Sequence, residues 1–148
     1  MYRVFLAIVG GLVLAGCVML IAEPIANSIY PPPTGMDRYD RASIKAYWKE
    51  VSTGYLVCIP LRWGLATFVG TWLAGAMARR ARWLHSILVG LVMMGAGIAM
   101  LSLFPSPGWM WVMGLAVFPI ATLFGTRLAP KKKKPLPPMV IPVHVAAR

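Results

Sequence analysis

Acid is scarce in this chain: four Asp and Glu stand against fifteen Lys and Arg in 148 residues. Paired-carboxylate catalysis and carboxylate-rich metal sites therefore have few residues to draw on. Charge of either sign is sparse at 13%, while 59% of the residues are hydrophobic, a balance that a soluble domain of this length rarely shows. Two cysteines are too few for a disulfide framework, and two histidines cannot supply a metal-spaced cluster. Cys17 lies in the first apolar run and Cys58 near the outer end of the second, so both are expected as buried, unpaired thiols. No nucleophile triad and no glycine-rich phosphate loop stands out, and no catalytic residue is assigned.

Long apolar runs are what the chain has instead. Residues 4–22 carry no charge, residues 55–78 carry only Arg62, and residues 84–104 and 109–126 carry none unless His85 is protonated. Each reaches or approaches the roughly 20 residues that cross about 30 Å of hydrocarbon. The expected fold is all-α: an integral membrane four-helix up-down bundle, with a short outer interfacial helix and an extended basic, proline-rich C-terminal tail. Residues 1–129 form the membrane domain, with spans at about 4–22, 55–78, 84–104 and 109–128, and an outer loop at 24–54. Residues 130–148 form the tail. The links at 79–83 and 105–108 are short enough to force antiparallel neighbours.

Sorting the charges by loop orients the chain. Arg3, Arg79, Arg80, Arg82, Arg127, Lys131, Lys132, Lys133, Lys134 and Arg148 fall on one side, with no acid among them. Arg38, Arg41, Lys45 and Lys49 fall on the other and are balanced by Glu23, Asp37, Asp40 and Glu50. An excess of basic residues marks the cytoplasmic side, so both termini are expected there. The basic face would meet anionic lipid headgroups, and nucleic acid is not expected as a partner.

Leu14-Ala15-Gly16-Cys17 follows a basic start and resembles a lipoprotein cleavage box, but the apolar run continues through Ala22. The segment is therefore expected to stay as a span. Residues 23–30 can extend the first helix with a kink at Pro24, and Pro31-Pro32-Pro33 stops it. From Ser43 to Tyr55, Ile44, Tyr47, Trp48, Val51 and Tyr55 recur at helical spacing opposite Arg41, Lys45 and Lys49. That pattern predicts an amphipathic helix lying at the outer interface.

Lipid gives helices no hydrophobic reason to associate, so seams depend on small residues and polar contacts. Ala7, Gly11 and Ala15 form such a stripe in the first span, and Ala66, Gly70, Ala74 and Ala78 in the second. Gly90 and Gly97 share a face of the third, and Ala121 and Gly125 a face of the fourth. The tail, with Lys131–134 followed by Pro135, Pro137 and Pro138, has no helical or strand period. Such a segment becomes ordered only against something, and partner-protein or headgroup contact is expected there and at Arg79, Arg80 and Arg82.

Arg62 is the most unusual residue, about seven positions or roughly 10 Å inside the second span. Glu23 should lie at similar depth, and a Glu23–Arg62 ion pair would relieve the cost of burying the arginine. That pair reads as a proton or ion site, as a structural clamp, or gives way to snorkelling of Arg62. Pro60 and Pro119 each free a carbonyl one turn earlier. His85 is a weak candidate for a haem or chlorophyll ligand, without a second histidine in any span, and His144 lies in the tail. Trp63, Trp72, Trp83, Trp109 and Trp111 suit interface anchoring and bundle filling better than a pigment pocket. No cofactor or metal is expected.

Glu23, Asn27, Tyr30-Pro31-Pro32-Pro33, Gly35 and Asp37 precede a glycine-rich second span and a Pro-Ser-Pro-Gly-Trp turn. This arrangement resembles a family of small bacterial four-span inner-membrane proteins. The resemblance covers roughly residues 1–129 and implies a bacterial inner membrane and four spans, but no activity. Many of those proteins carry histidine where this chain has Asn27, so no metal or proton role carries over to that position. The functional expectation is a non-catalytic accessory subunit of a larger membrane complex, an energy-transducing one among the candidates, contacted through the tail and the small-residue faces. The alternatives are a small oligomeric proton-coupled transporter using Glu23 and a haem- or pigment-contacting subunit.

Overall fold

The computed structural model describes residues 2–31, 40–78, 81–104 and 106–130. Every element among them is helical: α1 (Tyr2–Ile29), α2 (Arg41–Glu50), α3 (Thr53–Met77), α4 (Arg82–Leu103) and α5 (Gly108–Leu128). All but α2 are long and apolar enough to cross a membrane. At about 1.5 Å per residue the shortest of the four is already some 30 Å long. The basic residues expected to contact partners or headgroups at Arg79, Arg80 and Lys131–134, with Pro135, Pro137 and Pro138, lie outside the described residues, as does most of the Pro-Pro-Pro-Thr-Gly segment.

Local chemistry sets the ends of the helices. α1 runs through Pro24 to Ile29, and the Ser28 hydroxyl donates to the Pro24 carbonyl at 2.8 Å in the last turn. Asp40 caps α2, accepting from the Ala42 and Ser43 amides at 3.1 and 3.0 Å. The amphipathic helix expected over 43–55 is not continuous: it stops at Glu50, and α3 begins at Thr53. Val51 is extended, and the Ser52 hydroxyl accepts from the Gly54 amide at 3.2 Å, so an N-cap interrupts the apolar period. α4 starts from Ala81, which holds a left-handed backbone at φ 51° without glycine.

α3 is the central element, packed against α1, α4 and α5, while α4 also packs against α5 and α1. The stripe residues lie in these contacts. Ala7, Gly11, Ala15, Ala66, Gly70, Ala74, Gly90, Gly97, Ala121 and Gly125 are all buried, whereas Ala78 is half-buried. A Cβ placed on Gly11 would stand 2.7 Å from the Gly70 carbonyl oxygen, and one on Gly70 would stand 2.7 Å from that of Gly11. Backbone meets backbone there, and only glycine permits it. Gly90 faces Thr122, Gly97 faces the Phe118 ring and Gly125 faces Thr71 in the same close manner.

The interior also holds hydroxyls. Thr67, Thr71, Ser86 and Thr126 are fully buried, and the Ser86 hydroxyl crosses from α4 to donate to the Thr71 carbonyl of α3 at 2.8 Å. The outward surfaces are the opposite: Leu20 is 76% exposed, Val112 71% and Phe5 67%. Cys17 is exposed on this surface and Cys58 half-buried, which corrects the expectation that both thiols are buried. An apolar position in such a run can face outward as readily as inward.

Candidate functional site

The end of the molecule that gathers the α1 C-terminus, the α3 N-terminus, the α4 C-terminus and the α5 N-terminus holds a cavity of about 240 Å³. Helical spacing supplies its walls. Met19, Glu23 and Asn27 recur every fourth residue along one face of α1. Tyr55, Ile59, Arg62 and Trp63 do the same work on the first turns of α3. Met100, Leu101 and Phe104 come from the end of α4, Met110 from the start of α5, and Ser106 from the link between them.

Aromatic contacts bring α2 to this cavity. Trp48 stacks on Phe104 at 5.8 Å between ring centroids. Tyr47 meets Tyr55 edge-to-face at 6.3 Å, and Tyr30 of the chain after α1 meets Tyr55 at 5.9 Å. On the floor Trp63 stacks on Phe118 at 5.9 Å. Tyr47 and Trp48 are thus half-buried and line the cavity, although α2 is amphipathic and its Glu50 is exposed. Burial, and then the neighbouring Tyr55, push the Tyr47 phenol above its ordinary range. At the far end of α2 the Ser43 and Ala42 amides and the Ser43 hydroxyl hold the Asp40 carboxyl below its usual value.

Glu23 and Arg62 therefore line one cavity, but they do not touch. Among the described residues no carboxylate oxygen lies within 4.0 Å of the guanidinium, and Arg62 Nε and Nη1 are buried without a hydrogen-bond partner. A buried donor without an acceptor costs about 1–3 kcal/mol, more when it is charged. Arg62 thus lines the hollow with two donors shielded and unpaired among the described residues, and Glu23 is exposed at its rim.

His85 is elsewhere. It is buried in the first turn of α4, with Nδ1 2.9 Å from the Ala81 carbonyl, a contact in which the Nδ1-protonated tautomer donates. Nearby, Arg82 Nη1 donates to the Ala129 carbonyl at 3.2 Å and ties the start of α4 to the end of α5. No group of three or more His, Cys, Asp and Glu able to hold a metal ion is found among the described residues. Trp72, Trp83 and Trp109 are exposed, and none of the three lines the cavity.

Sequence reasoning singled out Glu23 and Arg62 but missed the cavity they share, along with Asn27, Trp48 and Tyr55 as its lining. The fourfold spacing of Met19, Glu23 and Asn27 was the available signal. No protein-family model, curated protein or solved structure matches the chain.

Proposed function

We propose that the chain is a multi-pass protein of a bacterial cytoplasmic membrane, crossing it four times with both termini cytoplasmic. It works by binding, as a non-catalytic accessory subunit of a larger membrane assembly. The observation that carries the membrane reading is the inverted distribution of polarity. Hydroxyls such as Thr67, Thr71 and Ser86 are buried, while large aliphatic and aromatic side chains cover the outside of α1, α3, α4 and α5. In water a surface of this kind would exceed the apolar patch that a soluble monomer tolerates. The charge excess at 79–82 and 127–134 supports the orientation, and the cavity then opens at the outer face.

The binding reading rests on Arg62. Two of its donors lack an acceptor among the described residues, and the lining around it is mostly apolar and aromatic, with Glu23, Asn27 and Ser106 as further polar groups. Purification in mild detergent tests the subunit reading: a co-purifying set of membrane proteins is expected, and a stable lone monomer overturns it. Cysteine-accessibility labelling tests the topology, with termini on opposite faces as the overturning result.

Glu23 favours a second reading, a small oligomeric proton-coupled transporter, because a carboxylate does line the cavity. Proton-coupled flux in liposomes that disappears in Glu23→Gln would establish it. No flux in either protein removes it.

A further inference from the structure

We propose that the cavity binds a zwitterion carrying an ammonium and an oxyanion, of the phosphoethanolamine class, which a bilayer supplies as a lipid headgroup. This rests on the reading that α1, α3, α4 and α5 stand in a membrane with the cavity at its outer face. Two opposite charges share this hollow without touching, beyond 4.0 Å apart. Arg62 lines the hollow, and its Nε and Nη1 lack an acceptor among the described residues, so a turn of the side chain would present them to a ligand. A phosphate oxygen is the acceptor that matches a guanidinium best. Glu23 offers an acceptor at the rim, where an ammonium can reach it from water.

A ligand of one sign fits this arrangement poorly. An anion would satisfy Arg62 but meet the Glu23 carboxylate, and a cation would satisfy Glu23 and leave Arg62 bare. A zwitterion answers both and leaves the net charge of the site unchanged. Tyr47 and Trp48 add aromatic faces to the same space, suited to a cation. The volume of about 240 Å³ corresponds to roughly eight waters, room for such a headgroup but not for acyl chains. The chains would leave along the apolar exterior.

The test is a tryptophan-fluorescence titration of the full chain in neutral detergent, since Trp48 and Trp63 line the cavity. The probes are dihexanoyl phosphatidylethanolamine, dihexanoyl phosphatidylglycerol and free phosphoethanolamine. The ethanolamine lipid should bind at least tenfold more tightly than the glycerol lipid. Arg62→Gln should weaken it at least tenfold, and Glu23→Gln should erase the preference between the two lipids. Glu23 is exposed, so that variant keeps the proposal testable where Arg62→Gln does not fold. Free phosphoethanolamine binding as tightly as the lipid supports the zwitterion site with a soluble source, and its failure beside a binding lipid supports the lipid source. Equal affinity for the two lipids in all three proteins, or a preference for the glycerol lipid, overturns the proposal. A chain that binds the zwitterion yet purifies alone keeps this site and loses only the subunit reading.

Discussion

Gly70→Ala probes the backbone contact between α1 and α3. The added Cβ would stand 2.7 Å from the Gly11 carbonyl oxygen and 3.0 Å from the Ala15 Cβ. Carbon and oxygen normally approach to about 3.3 Å, so α1 and α3 must part by roughly 0.5 Å or more. A gap of that order forfeits a quarter to a half of each dispersion contact along the seam. Overpacking of this kind costs ~1–3 kcal/mol, and the better helix propensity of alanine returns up to ~1 kcal/mol. The expected net loss is ~0.5–2 kcal/mol. Gly11→Ala meets the Gly70 carbonyl oxygen at 2.7 Å and should cost about the same. Once one methyl has parted the helices the second finds space, so the double variant should fall short of additivity by ~1 kcal/mol. Gly16→Ala is the control, because no atom lies within 4 Å of its added Cβ. Unfolding by sodium dodecyl sulfate in mixed micelles, followed by circular dichroism, reads the four variants beside the parent. If Gly70→Ala is as stable as the parent, or Gly16→Ala loses as much, the backbone contact is not what holds α1 to α3.

Three further perturbations test the local chemistry. Ala81 holds φ 51°, a conformation costing a non-glycine residue roughly 1–2 kcal/mol, so Ala81→Gly should stabilise by ~0.5–1 kcal/mol and raise the thermal midpoint. Ser86→Ala removes the 2.8 Å bond between α4 and α3 and should cost ~0.5–1.5 kcal/mol in the same micellar titration. The lowered Asp40 carboxyl stabilises α2 fully above its ordinary value of 3.8, and that contribution is lost as pH falls through its lower native value. Protection of the Ala42 and Ser43 amides, relative to their intrinsic exchange rates, should therefore fall only in that acid window, and Asp40→Ala should remove this change in protection.

The four long helices were legible because their apolar runs are long and their breaks are charged or rich in proline. Which face of each run turns inward was far less legible. Residues on both faces of these helices are apolar, so hydrophobic period carries little information about Cys17, which faces outward, or Val89, which is buried. Small residues were the usable mark, because only they allow backbones to meet, as at Gly11 and Gly70. The break between α2 and α3 escaped notice because Val51 and Tyr55 continue the apolar spacing, and a hydroxyl cap at Ser52 overrides it. The cavity was hidden for a different reason. It exists only where four helix ends converge, and no window of sequence contains that convergence.

The seam and the cavity are two halves of one stripe. Along α1 the fourfold series begins with Ala7, Gly11 and Ala15 and continues with Met19, Glu23 and Asn27. Along α3 it begins with Arg62 and continues with Ala66, Gly70 and Ala74. Where the series is small the helices close to backbone contact, and where it is large they enclose space. The register set by the Gly11–Gly70 contact places Glu23 level with Cys58, one helical turn from Arg62. A turn of about 6 Å in depth therefore separates the two charges. One alanine inserted between Cys17 and Met19 would turn Met19, Glu23 and Asn27 by ~100° about the helix axis. The Gly11–Gly70 contact lies before the insertion and should survive it. Headgroup binding should then be lost while resistance to sodium dodecyl sulfate stays close to that of the parent. Loss of both together would mean that the cavity lining also holds α1 in place, and that the two halves of the stripe are not separable.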